Sequence, residues 1–186
     1  MNTILSNIPD KRKDKNTTSL QFKKDLIEFF KNMQLKNCVE IGTSLGYSTY
    51  VLSHLFESVT TIDIDINNIQ KASKFNSERT NITFLHGNST TSEWDMDCKF
   101  DVAFIDADHS HNAVLKDIDT CIKYGTNTMY IVFDDYGLPD GVKPAVDEVL
   151  NKGILKVIKY IGEPAGNEPR IGKPLVDWEG IICQIN

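Results

Sequence analysis

The chain has 186 residues, 20 of them basic and 26 acidic, for a formal charge of -6. That length fits one domain with a core of its own, and the acidic balance argues against a surface built mainly to neutralise nucleic-acid phosphates. Cys38, Cys98, Cys121 and Cys183 stand far apart with no C-x-x-C pair, so neither a zinc site nor a disulfide framework is expected, and reduced thiols in a cytoplasm fit best.

In chain order, residues 1–18 (MNTILSNIPDKRKDKNTT) have a scattered apolar start and then charges, without the continuous hydrophobic run of a signal peptide. They read as a polar, partly disordered tail with KRKDK solvated, and residues 19–186 as a single domain with no membrane segment. LQFKKDLIEFF repeats apolar residues at three and four positions, the pattern of an amphipathic helix. Seven strand candidates follow: NCVEI, SVTTIDI, ITFLH, FDVAFID, MYIVFD, ILKVIKYI and EGIICQI. Helical patterns around STYVLSHLF, NIQKASKF, NAVLKDIDTCI and PAVDEVL separate most of them. Repeated strand and helix predicts an α/β fold, a Rossmann-like doubly wound sheet that is mostly parallel. GEPAGNEPRIGKPLVDW, between the last two strands, is too rich in Gly and Pro for a helix, which predicts a C-terminal antiparallel hairpin.

Such sheets bind ligands at the carboxyl ends of their strands, and there this sequence places Asp63, Asp106, Asp134 and Asp135. After NCVEI, the loop GTSLG lets the backbone turn tightly at Gly42 and Gly46 and approach a ligand closely. A dinucleotide fingerprint would ask for further glycines where Ser44 and Tyr47 stand, and no Gly-Lys-Ser/Thr follows for a Walker loop. Asp63, about twenty residues on, is placed to accept from the hydroxyls of a ribose. The ligand expected is one with a ribose and no pyrophosphate. S-adenosylmethionine meets that description, its cationic groups suiting a loop flanked by Glu40 and a downstream carboxylate.

Adjacent parallel strands ending in Asp106 and in Asp134–Asp135 would bring three carboxylates to one edge, where like charges repel. A hard cation resolves that repulsion, and oxygen ligands suit Mg²⁺ or another divalent cation.

EIGTSLGYST resembles the first motif of the class I S-adenosylmethionine-dependent methyltransferases, in particular the small-molecule O-methyltransferases related to catechol and caffeoyl-CoA methyltransferases. TIDID, LHGNST, FIDADHSH and IVFDDYG resemble their later motifs in order, from about Gln21 to Leu150, and the pairing of FIDADHS with VFDDYG is nearer the macrolide-sugar and cephamycin-type subgroup. The resemblance implies Glu40, Gly42, Ser44, Gly46 and Ser48 around the methionine end. It implies Asp63 and Ile64 at the ribose and adenine, Asn88, Ser89 and Thr90 at the adenine edge, and Asp106, Asp134 and Asp135 as metal ligands, with Asp106 also touching the cofactor and serving catalysis. Asp135 stands where the catechol-like enzymes have Asn. His109 stands where they have a catalytic Lys, so it is the expected base, with Asp108 and His111 as rivals and Ser110 as a candidate cap of the next helix.

The expected activity is metal-assisted O-methylation of a small molecule of sugar, polyol or natural-product type, with no nucleic-acid or membrane partner. A homodimer that completes the site is compatible with the sequence. The rival readings are a nicotinamide-dependent oxidoreductase on the same fold and a non-catalytic cofactor-binding module.

Overall fold

The structure is a computed structural model, and it describes residues 2–8, 17–91, 99–167 and 174–186. Cys98 and the KRKDK run lie outside the described residues.

The elements run α1 Asn2–Leu5, α2 Leu20–Phe30, β1 Asn37–Ile41, α3 Tyr47–Leu55, β2 Ser58–Asp63, α4 Ile66–Phe75 and β3 Ile82–His86. They continue β4 Phe100–Ile105, α5 His111–Tyr124, β5 Gly125–Phe133, α6 Val142–Asn151, β6 Leu155–Ile161 and β7 Gly180–Ile185. The strands form one seven-stranded sheet in the order β3-β2-β1-β4-β5-β7-β6. The first five are parallel, and β7 inserts antiparallel between β5 and β6. The expected sheet, with its antiparallel C-terminal hairpin, is the one observed.

Period-two alternation sends successive strand residues to opposite faces, and both faces are covered by helices. Val39, Ile41, Ala103, Ile105, Ile131 and Phe133 pack with Val114, Ile118 and Cys121 of α5 and Val146 and Val149 of α6. Cys38, Val102, Phe104 and Val132 pack on the other face with Phe22, Leu26 and Phe30 of α2 and Val51 and Leu52 of α3. Phe104 meets Phe22 edge to face at 5.9 Å. Three cysteines, Cys38, Cys121 and Cys183, are buried free thiols, and burial pushes each thiol's pKa up.

Ser19 caps α2, its hydroxyl oxygen accepting from Phe22 N at 2.9 Å. The buried Glu179 carboxylate accepts from the amides of Ser19 at 2.7 Å and Glu163 at 2.9 Å, tying the start of α2 to the start of β7. Ahead of it, Ile8 is buried in the α2–α3 core and Asn7 donates to the Tyr50 hydroxyl at 2.9 Å.

The strand order reverses between β1 and β4, and a crevice opens there at the carboxyl ends of both strands. Gly42 has φ +98°, and a β-carbon on it would lie 1.9 Å from the carbonyl oxygen of Asp106. Glycine is therefore required for β1 and β4 to end side by side and leave the crevice between their loops.

Candidate functional site

The crevice is a cleft of about 530 Å³ lined by Gly42, Ser44, Asp63 and Ile64 together with Asn88, Ser89, Asp106, His109 and Asp117. Among the expected cofactor residues, Gly42, Ser44, Asp63, Ile64, Asn88, Ser89, Thr90 and Asp106 line it. Glu40, Gly46 and Ser48 are not among its lining residues.

Asp63, at the end of β2, is held by the protein's own donors. Its carboxylate accepts from Ser44 N at 2.9 Å and Asp65 N at 2.8 Å, and Asn68 Nδ2 lies 3.2 Å and 3.3 Å from its two oxygens. The first of these needs Ser44 at φ +46°, a left-handed backbone that orients its amide toward Asp63. Two fixed backbone bonds set the carboxylate's angle, while the longer Asn68 contacts leave lone pairs that a ribose can reach. Ile64 beside it is 69% exposed, an apolar side chain presented to the cleft.

Glu40 is fully buried. Its Oε2 accepts from Thr49 Oγ1 at 2.5 Å and Thr61 Oγ1 at 2.6 Å, and Thr43 Oγ1 lies 2.6 Å from Thr61 Oγ1. Its Oε1 is buried with no hydrogen-bond partner. Burial pushes its pKa up to about 8, against the opposing effect of the two threonine bonds and with help from the charges of Asp106 and Asp63. Glu40 thus joins β1, β2 and α3 beneath the glycine loop. Gly46 caps α3 with φ +76°, and its carbonyl accepts from Asn76 Nδ2 at 3.0 Å.

At the other end of the cleft the structure brings together Asp106, His109 and Asp135. Their ligand atoms all lie within 4.8 Å of one another. His109 Nε2 is 3.1 Å from Asp135 Oδ2 and 3.5 Å from Asp106 Oδ1. Asp135 is 2% exposed with φ +58°, an uncommon backbone for a residue other than glycine. The loop after it is braced: the Tyr136 hydroxyl donates to Asp147 and accepts from Lys143, each at 2.8 Å, and Lys143 pairs with Asp177 at 3.1 Å. A β-carbon on Gly141 would lie 1.7 Å from the carbonyl oxygen of His109, so this loop also presses on the histidine. Asp134 is buried behind Asp135 and is not a member of the group. Asp106 and Asp135 offer oxygen ligands to a divalent cation, and His109 Nε2 beside them can serve as a third ligand or as a base, but not as both.

His111 pairs instead with Glu148 of α6 at 3.0 Å, and Asp108 Oδ1 accepts from Ser110 N at 2.8 Å. That backbone bond holds the Asp108 carboxyl below its usual pKa. Ser110 occupies the cap position of α5 without a side-chain capping bond.

Asn68 and Asp117 were not predicted. A helical polar residue gives no period-two or loop signal, and both lie on amphipathic helices.

The chain belongs to the methyltransferase-domain family, whose model matches residues 39–136, and its fold is shared by solved methyltransferases, among them structures in complex with S-adenosylmethionine or S-adenosyl-L-homocysteine. The N-methyltransferase NodS from Bradyrhizobium japonicum WM9, in complex with S-adenosyl-L-homocysteine, superposes with a TM-score of 0.72 at 16% identity, over 99% of this chain and 97% of that one. The O-methyltransferase TomG from Streptomyces achromogenes, in complex with S-adenosylmethionine, gives 0.64 at 16% identity over 91% and 81%. Phosphoethanolamine N-methyltransferase 1 from Haemonchus contortus gives 0.55 at 20% identity over 64% of this chain, which spans 26% of that protein. No curated protein sequence matches the chain. No helix among the described residues is long and apolar enough to cross a membrane.

Proposed function

We propose that the chain moves the methyl group of S-adenosylmethionine to a hydroxyl of a small molecule of sugar, polyol or natural-product type, with a divalent cation assisting. The observation that carries this reading is the meeting of Asp106, His109 and Asp135 at one end of the cleft that Asp63 also lines. TomG, an O-methyltransferase of the same fold bound to S-adenosylmethionine, supports the donor and the reaction class.

In this reading Asp63 accepts from the ribose hydroxyls, Ile64 covers the adenine, and Asn88, Ser89 and Thr90 border its edge. Gly42 and Ser44 leave room for the methionine end, with Glu40, Gly46 and Ser48 fixing the loop behind them. Asp106 and Asp135 supply carboxylates for Mg²⁺ or another divalent cation, which when bound lowers the pKa of the acceptor hydroxyl. His109 Nε2 is the base. It takes the hydroxyl proton as the oxygen attacks the methyl carbon, and the electron pair of the breaking carbon–sulfur bond stays on sulfur. The protein's largest contribution is position, holding the acceptor oxygen about 3 Å from the methyl carbon.

The test is transfer of labelled methyl from S-adenosylmethionine to a panel of hydroxylated small molecules, before and after chelation and with Mg²⁺ restored. Turnover that vanishes on chelation and returns with the cation is expected. Full turnover after exhaustive chelation, with no metal found by elemental analysis, would overturn the metal-assisted reading.

A further inference from the structure

Asn68, Ala72 and Asn76, spaced four residues apart, form one stripe along α4 and its C-terminal cap. Asn68, at the start of the stripe, meets the Asp63 carboxylate. Ala72 and Asn76, at its end, meet Gly46, where a β-carbon would lie 2.7 Å from the β-carbon of Ala72 and 2.7 Å from Asn76 Nδ2. Ala72 is fully buried and Asn76 is 2% exposed, and neither lines the cleft.

Asn76 Nδ2 donates to the carbonyl oxygen of Gly46 at 3.0 Å and to that of Ala72 at 2.9 Å. Two carbonyls admit only a donor, so the orientation of the amide is fixed and both Nδ2 hydrogens are committed, one to each. Its Oδ1 is left buried with no hydrogen-bond partner. That unmet acceptor is a cost which an apolar side chain filling the same space would not carry. What the amide supplies in return is a tie between the last turn of α4 and the first turn of α3, where the Gly46 carbonyl also accepts from Tyr50 N at 3.0 Å.

The tie bears on the loop that lines the cleft. Gly42 N donates to the Ile62 carbonyl at 2.9 Å and Ser44 N to the Asp63 carboxylate at 2.9 Å, so the start and middle of the loop are held to β2. The end of the loop is Gly46, at φ +76°, a residue with wide backbone freedom that the Asn76 bond restricts. We infer that Asn76 is a positioning residue for the methyl donor: it touches neither cofactor nor acceptor, and it holds the loop from Gly42 to Gly46 in the form that receives the methionine end. The inference rests on the cofactor reading above. A loop that occupies its binding form only part of the time weakens the measured affinity by that fraction, and once the cofactor is bound the chemical step is unaffected.

The experiment is calorimetric binding of S-adenosylhomocysteine, with melting temperature and methyl-transfer kinetics, for the wild type, Asn76→Ala, Asn76→Asp and Asn76→Ser. Val149→Ala, in the core of α6 and outside the cleft lining, is the control for lost stability alone. Asn76→Ala should weaken binding roughly 3- to 10-fold and raise KM for S-adenosylmethionine by the same factor, with the single-turnover rate at saturating cofactor kept within about twofold. Asn76→Asp keeps the volume and sets a carboxylate against two carbonyls, so it should lose at least as much, whereas a residue that only fills space would tolerate it. Asn76→Ser keeps one donor for two carbonyls, should fall between wild type and Asn76→Ala, and decides the matter if the other two do not fold. Val149→Ala should melt earlier with its affinity intact. Wild-type affinity in the folded Asn76 variants, or an equal loss in Val149→Ala at a matched fall in melting temperature, overturns the inference and leaves the cofactor site standing. A wild type that does not bind S-adenosylhomocysteine overturns both.

Discussion

The two ends of the cleft are built on opposite principles. At Asp63 the carboxylate is surrounded by donors of the chain itself, two of them backbone amides whose positions the fold dictates. At Asp106 and Asp135 two carboxylates face one imidazole, on loops whose backbone is left-handed at Asp135 and braced by Gly141. The first end is complete as a hydrogen-bonding unit and only has to exchange the longer Asn68 contacts for ribose hydroxyls. The second concentrates like charge and strained backbone, the arrangement that persists where a site must hold a cation or carry chemistry. On the proposed function, binding and catalysis are separated along one cleft, and substitutions at the two ends should separate them in measurement.

The largest expected effect is at the charged end. Asp106→Asn or removal of the cation should lower the rate of methyl transfer by about 10³-fold or more, since metal stabilisation of an alkoxide is worth several kcal/mol. Calorimetric affinity for S-adenosylhomocysteine should change far less. A matching loss of cofactor affinity would mean that the two ends are one unit. His109→Ala should cost about 10² to 10⁴ in the single-turnover rate, again with cofactor affinity kept. Asp108→Ala and His111→Ala, measured beside it, should retain most of the rate, because Asp108 is committed to Ser110 N and His111 to Glu148. A collapse confined to the Asp108 variant would move the base to that residue.

The reverse signature belongs to Asp63. Asp63→Ala removes acceptors for ribose hydroxyls, a loss of about 1.5 to 3 kcal/mol per bond to a charged group. The affinity should fall by that amount, and the rate at saturating cofactor should fall much less. An unchanged dissociation constant would remove Asp63 from the ribose site and with it the contrast between the ends.

The sequence made the fold legible because its strands are short apolar runs with turn residues between them, and their boundaries are reproduced within a few residues. β5 is the exception, since it begins at Gly125, four residues before its apolar run: Gly125 pairs with Phe100, and after a shift in register the ladder resumes with Tyr130 opposite Val102. The insertion of β7 between β5 and β6 was likewise invisible, because adjacency across a hairpin does not say which partner lies beyond it. At the site, strand-end acids could be found from position alone. Which of two consecutive acids turns inward could not: Asp134 and Asp135 differ by a backbone rotation at Asp135, and an aspartate carries no sequence mark of a left-handed φ. Asp117 was hidden for a different reason, since its partner Ser89 lies 28 positions away and only the fold makes them neighbours.

The smallest expected effect on cofactor and rate lies beneath both ends, at Glu40. Its pKa in the folded chain is about 8 against an ordinary 4.5, with burial as the main cause. A carboxyl whose folded pKa is raised binds its proton more tightly folded than unfolded, so its contribution to stability is fully present below the unfolded pKa and is lost as pH rises through the folded one. Between about pH 4.5 and about pH 8 the slope is at most about 1.4 kcal/mol per pH unit. Glu40→Gln keeps an acceptor for Thr49 and Thr61 and removes the ionisation. Its melting temperature should therefore fall less than that of the wild type between pH 5 and pH 9, with the two curves diverging most above pH 8. Because Glu40 touches the loop and not the cleft, cofactor affinity near neutral pH should be within a few-fold of wild type. Parallel melting curves for the two proteins would mean that Glu40 is ionised throughout, and would return it to the charges that can act on the cofactor's cationic end.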